Sequence, residues 1–182
     1  MSADPSNDAR SDEMLVAAIN RGDAQAFDAL YRRYRDWVVD LAWRFTGDRD
    51  MALDVMQETF LYVLKKFPGF KLTASLKTFL HPAVKHTAIS LQRRAARLVS
   101  DEPLHSAAAP SPPSTDLDDL AVVLAELSPD HRETILLRFV DGLSMEQIAR
   151  AMNVPTGTVK SRLHHALQTL RRSPRTAAYF NP

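Results

Sequence analysis

The stretch Leu143–Arg172, LSMEQIARAMNVPTGTVKSRLHHALQTLRR, decides the reading of this chain. Ser144 is placed to cap a helix, with Gln147 three residues later to complete a capping box. Ile148, Ala149 and Met152 give that helix one apolar face. Asn153, Val154 and Pro155 interrupt it, because a proline disfavours helical geometry at the residue before it. Thr156 is placed to cap a second helix, along which Val159, Leu163, Ala166, Leu167 and Leu170 recur at three- and four-residue steps. The other face of that helix carries Thr158, Lys160, Ser161, Arg162, His164 and His165, donors suited to phosphates and base edges. Two short helices joined by a tight turn, the second basic on its outer face, form a helix-turn-helix and point to DNA. A solvated helical hairpin shares this periodicity, so the wording of the stretch and the rest of the chain must separate the two.

The 182 residues suffice for one ordinary domain or two small ones. With 23 basic against 22 acidic residues and a net charge of +1, bulk attraction to a polyanion fails as an argument. Any nucleic-acid binding must come from how charge is distributed. The 45% hydrophobic content supplies cores, and only 5 glycines, with few alternating β-branched runs, favour an all-helical fold. Cysteine is absent, which removes disulfides, thiolate metal sites and cysteine nucleophiles and fits a reducing cytoplasm. No apolar run reaches the ~20 residues that span a bilayer, and the polar start MSADPSNDARSDE lacks signal-peptide order. A cytoplasmic protein without membrane insertion is expected.

In chain order, residues 1–11 are expected to be disordered. Leu15 to Ile19 make a short helix stopped by Gly22. Asp23 caps a long amphipathic helix that ends at Gly47. A third, begun at Asp48 or Asp50, runs to about Phe67 with Val55, Met56, Phe60, Val63, Leu64 and Phe67 inward. Asp54, Gln57, Glu58 and Leu61 share another of its faces. Residues 68–73 form a loop with Phe70 and Lys71. Ser75 caps a fourth helix with Leu76, Phe79, Leu80, Ala83, Val84, Ala88 and Leu91 at core spacing. Its other side shows Lys77, His81, Lys85, His86 and, further on, Arg93, Arg94 and Arg97. Pro82 predicts a kink near Thr78–Pro82, or a later helix start. Residues 100–116, rich in proline, alanine and acid, read as a flexible linker. Ser128 or Pro129 opens a helix through Ile135, Leu136, Phe139 and Val140, closed at Gly142. The domains expected are 12–99 and 117–172, with a tail over 173–182.

The wording GLSMEQIA…VPTGTVKSRL resembles the promoter-binding C-terminal region of bacterial sigma factors, above all the extracytoplasmic-function class, over about Leu127 to Leu170. A LuxR-type regulator also has a TVK-bearing helix, but GTVKSR favours the sigma factor. Three earlier stretches resemble the family's second region: AFDALYRRYRDWVVDLAWRFTGD (26–48), ALDVMQETFLYVLKKF (52–67) and SLKTFLHPAVKHTAISLQRR (75–94). Both resemblances in the family's order are more specific than either alone.

The resemblance implies core RNA polymerase (the β′ clamp helices, and the β flap) and promoter DNA as partners, with an anti-sigma factor or a kinase as a possible regulator. Asp54, Gln57, Glu58 and Leu61 fall where the family docks on the clamp helices, and two carboxylates and an amide suit an arginine-rich surface. The loop from Pro68 to Ser75, including Phe70 and Lys71, falls where the family captures a flipped base of the downstream (−10) element. Lys77, Phe79, His81, Lys85 and His86 fall on or beside the strand-opening helix. On the second domain, Thr156, Lys160, Ser161 and His164 are expected at base edges of the upstream (−35) element, and Thr158, Arg162 and His165 at phosphates.

The chain departs from the family pattern in places. Met51 and Leu53 stand where an acidic pair is usual, which invites phosphorylation of Thr59 or Thr46 as a source of negative charge. His86 replaces an asparagine, Phe79 a tryptophan and His165 an arginine.

For an enzyme the sequence offers no phosphate loop, nucleophile elbow or zinc-protease motif, so no catalytic residue, metal or cofactor is expected. Adjacent His164 and His165 point ~100° apart on a helix and do not chelate together. The alternative to a sigma factor is a stand-alone helix-turn-helix regulator without polymerase docking.

Overall fold

In the computed structural model the described residues are 8–99 and 122–173. The expected linker, the first seven residues and the tail beyond Ser173 lie outside them. The chain divides into two compact units, Met1–Ala109 and Pro110–Pro182. All regular elements among the described residues are helical.

The first unit holds α1 (Asp12–Asn20), α2 (Ala24–Thr46), α3 (Arg49–Leu64) and α4 (Leu76–Val99). Each of the first three starts at a side-chain cap. Ser11 accepts from Met14 N–H, Asp23 from Ala26 N–H at 3.1 Å, and Asp48 from Met51 N–H at 2.7 Å. These bonds satisfy amides that the helix itself leaves orphaned. Gly47 ends α2 at φ 66, a left-handed conformation in which its missing Cβ avoids strain. α2 packs on all three other helices, and the core gathers Leu15, Leu30, Val38, Leu41, Val55, Phe60, Leu80 and Val84 around it.

Three details differ from the sequence expectation. Residues 8–11 are held: Arg33 donates to the carbonyls of Asp8 (2.7 Å) and Arg10 (2.8 Å), and Arg10 pairs with Asp8 and Asp23. Polar bonds fix this segment without apolar burial, which composition does not reveal. α3 ends at Leu64, and Leu64 is exposed rather than inward. α4 runs through Pro82 from Leu76, so the helix does not start late. Ser75 caps it, accepting from Thr78 N–H at 3.3 Å, and Pro82 stands on its exposed side.

In the second unit, residues 122–126 are helical, followed by α5 (Pro129–Ile135), which continues as a π-helical turn over Leu136–Val140. Ser128 caps α5 and Pro129 sits at its first position. Arg132 donates to the carbonyls of Leu124, Ala125 and Leu127, closing the preceding helical stretch. α6 (Met145–Met152) and α7 (Thr156–Arg172) complete the unit's described helices. Val123, Leu127, Ile135, Leu137, Ile148, Val159, Leu163 and Leu170 fill a separate core.

The π turn changes one expectation. Asp141 N–H bonds to Leu136 C=O, five residues back, so the wider turn rotates its last residues out of register with α5. Phe139 and Val140 are 62% and 63% exposed, where a continuous α-helical pattern would face them inward.

Candidate nucleic-acid interface

The helix-turn-helix is built from local bonds. The reciprocal capping box is complete: Gln147 N–H donates to Ser144 Oγ at 3.2 Å, and Ser144 N–H to Gln147 Oε1 at 2.8 Å. Ser144 Oγ also donates to Glu146 Oε2 at 2.9 Å. The Glu146 carboxyl is held below its ordinary range, first by its own N–H and then by Ser144, with Lys160 and Arg138 adding to the effect. Asn153 closes α6 in the left-handed region (φ 53, ψ 50), which asparagine tolerates better than most residues. Val154 N–H returns to Ala149 C=O at 2.9 Å, and Pro155 then turns the chain into α7. The expected cap at Thr156 is not formed. Pro155 occupies the capping position with no side-chain bond, and Thr156 is already the first helical residue.

On α7, Val159, Leu163, Ala166 and Leu170 are buried. Lys160, Ser161 and His164 are exposed at i, i+1 and i+4, while Thr156 and Thr158 are half-buried. Arg162 is engaged elsewhere, bonding Asp130 of α5 with its side chain only 20% exposed. His165 is exposed and stacks on His131 with ring centroids 6.2 Å apart. The seven expected upstream-contact residues therefore divide. Lys160, Ser161 and His164 form an open stripe, and Arg162 and His165 lean on α5.

In the first unit, Asp54, Gln57, Glu58 and Leu61 line one exposed stripe of α3 at i, i+3, i+4 and i+7. Leu61 is 57% exposed, and Leu53 and Leu64 extend the stripe with apolar surface that spacing alone does not assign to it. Glu58 lies 3.9 Å from Arg94 of α4. Thr59, one of the two phosphorylation candidates, is fully buried and so closed to a kinase. Thr46 Oγ1 bonds Ala42 C=O at 3.0 Å.

The face expected to open the DNA strands is rotated. Lys77, His81 and Lys85 succeed each other at four-residue steps and turn toward α2. Lys77 Nζ sits 5.5 Å from the Trp37 ring, and Lys85 Nζ 5.6 Å from Phe45. His81 is fully buried with its ring 6.0 Å from Phe45. Contrary to the sequence expectation, it is a core residue with no surface to offer DNA. A polar imidazole and two long lysine stems read as a solvent face in a sequence, yet all three pack well against aromatic rings. The open basic surface lies one stripe over: His86, Arg93, Arg94 and Arg97, with Ile89 and Ser90, border a cavity of about 430 Å³.

The loop between α3 and α4 is held from outside. Phe70 packs between Phe67 (5.4 Å) and Phe79 (4.7 Å) and belongs to the core's edge, as does Phe79. Lys71 is exposed. Asn20, at the end of α1, accepts from Gly69 and Phe70 N–H and donates to Phe70 C=O. Nothing in the spacing of residues 50 apart would have pointed to Asn20. Among the described residues there is no cluster of acidic, histidine or cysteine side chains able to hold a metal, and no helix long and apolar enough to cross a membrane.

Two helical units, one a helix-turn-helix with an open Lys160–His164 stripe, define a helical DNA-binding class. Comparison makes the class specific. The model for sigma-70 region 2 matches residues 30–98, and that for sigma-70 region 4 matches residues 117–170. The chain is 30% identical to the RNA polymerase sigma-H factor of Pseudomonas aeruginosa, covering 87% of this chain and 91% of that protein. It is 29% identical to the extracytoplasmic-function sigma factor SigE of Mycolicibacterium smegmatis, covering 92% and 69%. Among solved structures it resembles the sigma factor RpoE of Bartonella quintana in complex with the anti-sigma factor NepR. That match has a TM-score of 0.65 and 27% identity, and covers 81% of this chain and 96% of that one. The chain belongs to the sigma-70 family, in its extracytoplasmic-function class.

Proposed function

We propose that this chain is a dissociable, alternative initiation subunit of bacterial RNA polymerase that places the enzyme at a promoter and helps to open it. The observation that carries the reading is the presence of both family regions, in order, on one chain. The α3 stripe of Asp54, Gln57, Glu58 and Leu61 would dock on the polymerase β′ clamp helices. Its carboxylates suit arginines, and Leu53, Leu61 and Leu64 add apolar contact. α7 would enter the major groove of the upstream element, with Lys160, Ser161 and His164 at base edges and Thr156 and Thr158 beside them. Arg162 and His165 are left to phosphates at the rim.

The downstream element would be opened by the α3–α4 loop with Lys71, and by the His86–Arg97 face of α4. Cations there track the phosphates, and the loop wall accepts an unstacked base. Lys77 and Lys85, with their ammonium groups over Trp37 and Phe45, would stand beside that face rather than on it. The exposed Phe139 and Val140 offer an apolar contact for the β flap or for an anti-sigma protein. Bond-making chemistry stays with the polymerase, and the setting is cytoplasmic. A linker over 100–116 would let the two units reach separate DNA patches, with domain limits at 12–99 and 117–172.

Run-off transcription with purified core polymerase and a library of host genomic fragments tests this. Discrete start sites that depend on the added chain are expected. Duplex binding without core, and no transcripts, would make the chain a stand-alone regulator.

A further inference from the structure

We propose that Asn20 is a positioning residue for base capture: it fixes the α3–α4 loop in the shape that receives an unstacked promoter base. The inference rests on the reading of that loop as the downstream-element contact. Asn20 closes α1 next to Ile19, which is buried in the core, so its side chain projects from a rigid base. Its Oδ1 accepts from Gly69 N–H at 2.6 Å and from Phe70 N–H at 3.1 Å. Its Nδ2 donates to Phe70 C=O at 2.8 Å. One amide group thus takes both backbone groups of Phe70 and the donor before it.

The loop needs such a clamp. Gly69 holds φ +100, a conformation open to glycine, and its backbone has no helix or strand to bond to. With the backbone tied to α1 and the Phe70 ring wedged between Phe67 and Phe79, the loop is set before any base arrives. Lys71 and Thr73 then emerge on the exposed side from a fixed origin. A wall ordered in advance does not spend binding energy on its own ordering, so more of that energy goes to holding the strands apart. The same clamp makes selectivity for the captured base depend on a residue that touches no DNA.

The test is selection by the full chain, bound to core polymerase, from a pool of randomised single-stranded DNA. Wild type is expected to enrich a short motif. Asn20→Ala should flatten one position of that motif roughly tenfold, the scale that lost hydrogen bonds allow. Core affinity and the melting temperature should change little by comparison. Asn20→Asp keeps the two accepted bonds but sets a carboxylate oxygen against Phe70 C=O, so it should restore only part of the preference at that position. If Asn20→Ala does not melt cooperatively, Asn20→Ser, too short to span the loop, replaces it with the same expectation. An unaltered motif in the Ala or Ser variant overturns the role of Asn20 alone. The same holds if Asn20→Asp leaves the motif as sharp as in the wild type. A wild-type complex that enriches no motif overturns the reading of the loop beneath it.

Discussion

Lys160 and Arg162 lie two residues apart on α7 and are set to different tasks. Lys160 is exposed, while Arg162 bonds Asp130. Lys160→Ala is therefore expected to cost about 1–3 kcal/mol of promoter affinity if it reads a base. Arg162→Ala should weaken DNA binding less and lower the stability of the second unit by about 0.2–1 kcal/mol, as a partly exposed pair does. Titration of both variants, as holoenzymes, against one promoter fragment checks this, and equal losses would refute the division. Asp8 carries a pH prediction. Its carboxyl is drawn down from an ordinary value of 3.8 to about 2, first by the Arg10 side chain and then by the Arg10 N–H. A depressed carboxylate contributes stability above its unfolded pKa and loses it as pH falls through the folded one. The Asp8–Arg10 bonds should thus hold at neutral pH and loosen between about pH 4 and 2. Amide exchange at Arg10 reads it, and protection that persists in full below that window would contradict it.

At the scale of elements, local signals carried most of the fold. The capping box at Ser144, the caps at Asp23 and Ser75, and the left-handed Gly47 all stand where short-range chemistry puts them. Ser144→Ala should destabilise the second unit by about 1 kcal/mol, measured by thermal melting. The features hidden in the sequence needed three dimensions. His81, Lys77 and Lys85 keep the polar rhythm of a solvent face, yet α2 supplies aromatic surface for them. Phe139 and Val140 keep an α-helical rhythm that one wide turn defeats. Asn20 and the loop it holds are too far apart in sequence for any local pattern to join. Pro82 has its own consequence: it deletes one hydrogen bond of α4 and stands exposed. Pro82→Ala should raise the melting temperature, by less than the roughly 3 kcal/mol equivalent of a strained interior proline.

The whole molecule divides its labour between two separately built cores. In the proposed reading the α3 stripe serves the enzyme, and α7 and the α3–α4 region serve two patches of one promoter. Asp54→Ala combined with Glu58→Ala should weaken binding to core polymerase by about 1–3 kcal/mol, because each would remove one side of the proposed charge-assisted contact. Melting temperature should scarcely change, since both side chains are exposed. The most direct test of the central claim is a footprint of the holoenzyme on a promoter identified by run-off transcription, with permanganate to report unpaired thymines. Two protected patches are predicted, with permanganate reactivity confined to the downstream one and the upstream one weakened by Lys160→Ala. A single patch, or the same pattern from the chain without core polymerase, would contradict it.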